Sequence, residues 1–125
     1  PLFLMKGFQE GIKSTKGTDI NISDSLAPRA INNFSLYSSA KGALETLTKS
    51  LAKELAPEVR INAVAPGIIL WPENGEIDEE QQKNILKNVD LGRAGNPMDI
   101  SSAVYFLTGA NYITGQTLRV DGGRS

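Results

Sequence analysis

Residues 37–67, YSSAKGALETLTKSLAKELAPEVRINAVAPG, decide how this chain reads. From Tyr37 to Ala56, Ala40, Ala43, Leu44, Leu47, Leu51 and Leu55 recur at helical spacing, while Lys49, Lys53 and Glu54 fall elsewhere. That pattern predicts a long helix with a wide apolar stripe. Pro57 helps to end it. Arg60 to Ala65 then reads as a strand, apolar almost throughout apart from Asn62, as expected when both faces of a sheet are covered. Pro66-Gly67 breaks the strand and opens a long connection.

Upstream, Leu2, Leu4, Met5, Phe8 and Ile12 mark a half-buried helix, and Thr18 to Ser23 a short strand with Ile20 and Ile22 on one face and Asn21 on the other. Asp19 fits badly there, since a charge beside a buried sheet is costly unless paired. Downstream, Ile77 to Val89 is acidic and then amphipathic, a lid helix on the surface. Asn96 as cap with Pro97 at the first helical position starts another helix, which runs to about Thr108 with Gly109 as its stop. Gln116 to Asp121 forms the last strand. Strands separated by helices predict an α/β fold, a parallel sheet joined by right-handed crossovers. Three strands would leave one flank of such a sheet open. With no initiator Met, this predicts a fragment whose neighbouring strands lie elsewhere.

Composition narrows the chemistry. The net charge is −1 with no long basic run, which leaves no electrostatic grip for nucleic acid. The longest apolar stretch, Ile61 to Trp71, is interrupted and far short of the roughly 20 residues that span a bilayer. No membrane association is expected, and a cytoplasmic location is the default expectation. Cys and His are both absent, so thiolate and imidazole metal sites and a His-based triad are excluded.

The chemistry centres on Tyr37 and Lys41. Residues four apart on a helix share a face, with Cβ atoms about 5–6 Å apart. A cation about 5 Å from a phenol, at an effective dielectric near 20, would favour phenolate by roughly 3 kcal/mol, or about two pK units. Lys41 is therefore expected to bring Tyr37 into the useful range for acid/base work. Taken alone, such a pair reads more readily as a tyrosine capping a core beside a solvated lysine.

The wider context is more specific. Asn21-Ile22-Ser23-Asp24, then Tyr37 and Lys41, then Arg60 to Gly67, resembles the C-terminal order of the short-chain dehydrogenase/reductase family. Leu91-Gly92-Arg93-Ala94-Gly95-Asn96-Pro97 resembles its lid exit, and Ile113-Thr114-Gly115-Gln116 with Val120-Asp121-Gly122-Gly123 its closing strand. The resemblance covers essentially the whole chain. It implies a Rossmann-like doubly wound parallel sheet, of which residues 1–125 would be the C-terminal catalytic part without the N-terminal dinucleotide-binding part. No G-x-G-x-x-G is present, and this chain alone is expected to have little or no activity.

Carried over residue by residue, the resemblance implies that Tyr37 exchanges a proton with substrate while the cofactor exchanges a hydride. Lys41 would lower the tyrosine pKa and bind the nicotinamide ribose. Pro66 and Gly67 would let backbone near Ile68 approach the carboxamide, because glycine has no Cβ; a simple turn is the alternative there. Ile69 and Trp71 are candidates for the substrate pocket, and Trp71 serves equally well as an anchor for the lid. The implied cofactor is NADPH, and a homodimer or homotetramer built on the helices Leu2 to Ile12 and Tyr37 to Ala56 is expected.

One position departs from the family. Most members carry a serine 13 residues before the tyrosine, where this chain has Asp24. With Ala40-Lys41-Gly42-Ala43-Leu44-Glu45 and Glu54-Leu55-Ala56-Pro57, Asp24 resembles the pteridine reductases, which implies reduction of a pterin, dihydropterin or dihydrofolate. A carboxyl group relays a proton to a ring nitrogen better than a serine hydroxyl. Other readings stay open: Asp24 as a loop carboxylate capping a turn, or a one-residue shift that puts Ser23 or Ser25 in an ordinary carbonyl-reducing site. An inactive association module is the alternative of a different class.

Overall fold

The structure is a computed structural model that describes residues 1–27, 33–72 and 77–125. Its order is α1 (Leu2–Ser14), β1 (Thr18–Ile22), α2 (Ser35–Glu54), β2 (Arg60–Pro66), α3 (Glu79–Leu86), α4 (Pro97–Gly109) and β3 (Thr117–Val120). The strands form one sheet in the order β1-β2-β3. All pairing is parallel, with Asn21 opposite Ala63 and Ala65 opposite Arg119. The α/β architecture expected from the sequence is therefore present.

β2 is central, and Ile61 to Ala65 are completely buried. Its two side-chain rows face different layers. Ile61 joins Met5, Leu51, Ala52, Leu55 and Val59 in a core beneath α1 and α2. Arg60 and Asn62 point the other way. The Arg60 guanidinium donates to the carbonyls of Leu107, Thr108, Ala110 and Ile113, which closes the C-terminal end of α4 onto the sheet. The Leu107 and Thr108 carbonyls lie in the last turn of α4, where helical partners run out, so a fixed cation suits them twice over. At its other end α4 starts with a reciprocal capping box between Asn96 and Asp99, with Pro97 inside it.

In β1 the two faces differ in burial. Asn21 is buried while Ile22 is 45% exposed. The Asn21 amide donates to the Thr48 hydroxyl on α2, and Thr48 donates to the Leu44 carbonyl. Polar groups can line that interface because each finds a partner. Asp19 lies on the same row and accepts from Asn21 at 3.4 Å; burial pushes its carboxyl above the ordinary range. The apolar stripe of α2 is narrower than the spacing implies, since Ala40 and Ala43 are exposed and the buried positions are Thr48, Leu51 and Ala52.

The boundaries shift modestly. α2 begins at Ser35, two residues before Tyr37, and the lid helix α3 is shorter than residues 77–89. α1 is exposed at Leu2, Phe3, Leu4 and Phe8 and buries only Met5. Among the described residues, no helix is long and apolar enough to cross a membrane.

Candidate active site

The C-terminal end of β1 and the first turns of α2 bring Asp24, Tyr37 and Lys41 together. Asp24 follows the strand directly, and its Oδ1 accepts from the Leu26 backbone N–H at 2.8 Å, an Asx turn that fixes the carboxyl. Its other oxygen, Oδ2, accepts from the Tyr37 phenol at 2.6 Å. The turn-capping and site roles proposed for Asp24 are thus compatible. Ser23 points to Glu45 and the Lys41 carbonyl. The Ser25 hydroxyl is buried without a hydrogen-bond partner among the described residues. Neither flanking serine bonds the phenol.

Lys41 lies one helical turn beyond Tyr37. Its Nζ donates to the Ile22 carbonyl at 3.0 Å and sits 5.9 Å from the centre of the Tyr37 ring. The expected lowering of the tyrosine pKa is overturned. Tyr37 is pushed up to about 12 by its hydrogen bond to Asp24, by burial and by the Asp24 charge, in that order. The bond stabilises the neutral phenol, and ionisation would set phenolate against carboxylate. Spacing along a helix registered the lysine; it carried no information about a carboxyl arriving from another element. At neutral pH this phenol holds its proton.

Pro66, Gly67, Ile68, Ile69 and Trp71 form a second group. They line a cavity of about 940 Å³ whose remaining walls come largely from the lid and α4, including Ile77, Ile85, Ile100, Val104 and Tyr105. Asp24, Tyr37 and Lys41 do not line it. The two groups touch through the Ser25 N–H, which donates to the Pro66 carbonyl at 3.0 Å. Gly67 is needed for a reason other than cofactor approach: a Cβ there would stand 2.6 Å from the Asp121 Cα. Its N–H donates to the Val120 carbonyl. Asp121 is itself held by the chain end: burial raises its carboxyl pKa, but hydrogen bonds from Ser125, Gly123 and Arg124 outweigh that and leave it lowered.

Several contributors escaped the sequence reading. Ile100, Val104 and Tyr105 on α4 wall the cavity, although nothing in the sequence marks them for a site. Arg124, the one charged residue among the described cavity-lining residues, reaches it from beyond β3. Glu45 and Arg119 have opposite charges on elements far apart in sequence, and only folding sets them 3.6 Å apart. Among the described residues no cluster could hold a metal ion.

A parallel sheet with helices on both faces is a Rossmann-like α/β arrangement, and the tyrosine–lysine pair lies at the end of one of its strands. The chain belongs to the short-chain dehydrogenase/reductase family of oxidoreductases: the family profile described as Enoyl-(Acyl carrier protein) reductase matches residues 1–125. It is 38% identical to the 3-oxoacyl-[acyl-carrier-protein] reductase of Bos taurus over 113 residues, which are 90% of this chain and 46% of that protein. A tropinone reductase homolog of Arabidopsis thaliana is 47% identical over 93 residues, 71% of this chain and 35% of the relative. Among solved structures, one described as a 2-deoxy-d-gluconate 3-dehydrogenase from Agrobacterium tumefaciens, with bound NADP, superposes with a TM-score of 0.89 at 32% identity, covering 98% of this chain and 53% of that one. The chain spans about half the length of the bovine relative. These names do not bear out the pteridine reductase resemblance, and they favour the ordinary carbonyl or hydroxyl alternative.

Proposed function

We propose that the intact protein is an NADP(H)-dependent oxidoreductase that reduces a carbonyl group on a small organic substrate, with Tyr37 as proton donor. The observation that carries this reading is the placement of the Tyr37 phenol, 2.6 Å from Asp24 and one helical turn from Lys41 at the end of β1. Relatives named for 3-oxoacyl and tropinone substrates support the carbonyl class, and the solved neighbour with bound NADP supports the cofactor.

The residues present fit a nicotinamide cofactor. Lys41 spends one of its three N–H donors on the Ile22 carbonyl, which leaves two for ribose hydroxyls. Pro66 to Ile68 line the cavity. When bound, the reduced nicotinamide supplies the hydride. Tyr37 turns its one O–H from Asp24 to the substrate oxygen and gives up that proton as negative charge develops there. Ile69 and Trp71 hold the apolar part of the substrate in the cavity. The exposed apolar face of α1, with Phe3, Leu4 and Phe8, supports self-association as a homodimer or homotetramer.

One observation favours a second reading, reduction of a dihydropterin or dihydrofolate: Asp24 bonds the phenol where a serine hydroxyl is usual. One assay separates them. NADPH oxidation by the intact protein is measured with a 3-oxoacyl thioester, a simple ketone, dihydrobiopterin and dihydrofolate. Ketone or thioester turnover that survives Asp24→Ala and is lost in Tyr37→Phe supports the first. Pterin-dependent turnover lost in both variants replaces it with the second. Absence of turnover with every substrate sinks both and leaves an association module.

A further inference from the structure

Tyr37, Lys41 and Glu45 stand four residues apart and so form one stripe along α2. Their partners are three consecutive residues at the exit of β1. Tyr37 bonds Asp24, Lys41 bonds the Ile22 carbonyl, and Glu45 Oε1 accepts from the Ser23 hydroxyl at 3.2 Å. Ser23 also faces the Lys41 carbonyl at 3.4 Å. Ser23 is 4% exposed, and the Glu45 side chain 13%, so water competes little for this contact. The second Glu45 oxygen lies 3.6 Å from Arg119 on β3. A buried carboxylate on a helix is costly unless it is paired and hydrogen-bonded. Here it is both: Ser23 directly follows β1, and Arg119 lies on β3.

We propose that Ser23 and Glu45 are positioning residues that set the register of α2 against the end of β1, and through it the placement of Asp24, Tyr37 and Lys41. Ser23 immediately precedes Asp24, and Glu45 is one turn from Lys41, so their contact ties the two halves of the catalytic cluster together. Without it, the first turns of α2 are held at the strand end only by the Tyr37–Asp24 and Lys41–Ile22 bonds, with more room to tilt there, while Asn21–Thr48 and the packing of Leu51 and Ala52 keep the helix docked further along. The inference rests on the proposed reductase function.

The test uses the intact protein and the best substrate from the assay above, with kcat, KM and melting temperature measured together. Small misplacements of reacting groups cost rate far more than binding, so Glu45→Ala and Ser23→Ala should each lower kcat about tenfold with KM within about twofold. Glu45→Gln keeps an oxygen for Ser23 and should recover most of kcat even where the lost Arg119 pair lowers the melting temperature. The Ser23→Ala/Glu45→Ala double variant should be no slower than either single one, because both remove the same contact. If Glu45→Ala does not fold, Ser23→Ala and Glu45→Gln decide alone. Unchanged kcat in folded Ser23→Ala, or Glu45→Gln slowed as much as the alanine variants, overturns the inference and leaves the reductase reading intact. No turnover in the unsubstituted protein overturns that reading and this inference with it.

Discussion

The two ends of the candidate site are built from opposite materials. At the exit of β1, Asp24, Tyr37 and Lys41 are polar, hydrogen-bonded and partly open, with the phenol's conformation fixed by one 2.6 Å bond. Across the Ser25–Pro66 contact, the cavity beneath the lid is walled almost wholly by aliphatic and aromatic side chains. Directional bonds fix the position and protonation of one group. Apolar walls exclude water and accept shapes without dictating orientation, which is what binding needs. The difference teaches a division of labour: variants in the first region should act on kcat, and variants in the second on KM.

The largest expected effect tests the polar end. Tyr37→Phe in the intact protein should lower kcat about a thousandfold, since removal of a positioned proton donor costs that order of rate. KM should stay nearly constant. A comparable rise in KM would erase the distinction between the regions.

Titration sharpens the same point. Tyr37 should ionise near pH 12, and Asp24→Ala should bring it back toward 10.0, read by ultraviolet difference absorbance against Tyr37→Phe. The sign follows from linkage: a pKa raised by folding adds stability that is present below 10.0 and lost as pH rises through about 12. A Tyr37 pKa below 10.0 would restore Lys41 as the dominant neighbour.

At the apolar end, Trp71→Ala should raise KM about tenfold with kcat little changed, from the loss of buried contact area. The smallest effect lies outside both regions. Asp19 has its pKa raised by burial, so its protonated form favours folding below about 3.8 and that contribution is lost as pH rises through the folded pKa. Asp19→Asn should therefore stabilise the protein at neutral pH by about 0.5 kcal/mol, a small gain because solvent still reaches the group. Thermal melts at neutral and acidic pH check it, and the gain should shrink in acid.

The sequence by itself determined the element order, the parallel sheet and the Tyr37–Lys41 face, because periodicity and breakers act over one or two turns. Arg60 to Ala65 was legible as a central strand for the same reason: a run apolar on both rows has few other uses. It did not determine which row of β1 is covered. Alternation puts Asn21 opposite Ile22, but only the arrival of Thr48 on α2 makes the polar row the buried one. Nor did it determine the direction of the Tyr37 shift. Lys41 is four residues away along one helix, whereas Asp24 reaches the phenol only after the chain between them has closed, and a 2.6 Å hydrogen bond outweighs a cation 5.9 Å from the ring. Gly67 makes the same point, since its need for a missing Cβ is set by Asp121 on β3. Short-range order was written in the residues' spacing; the partners that decide charge and burial come from other elements, and tertiary structure alone brings them into contact.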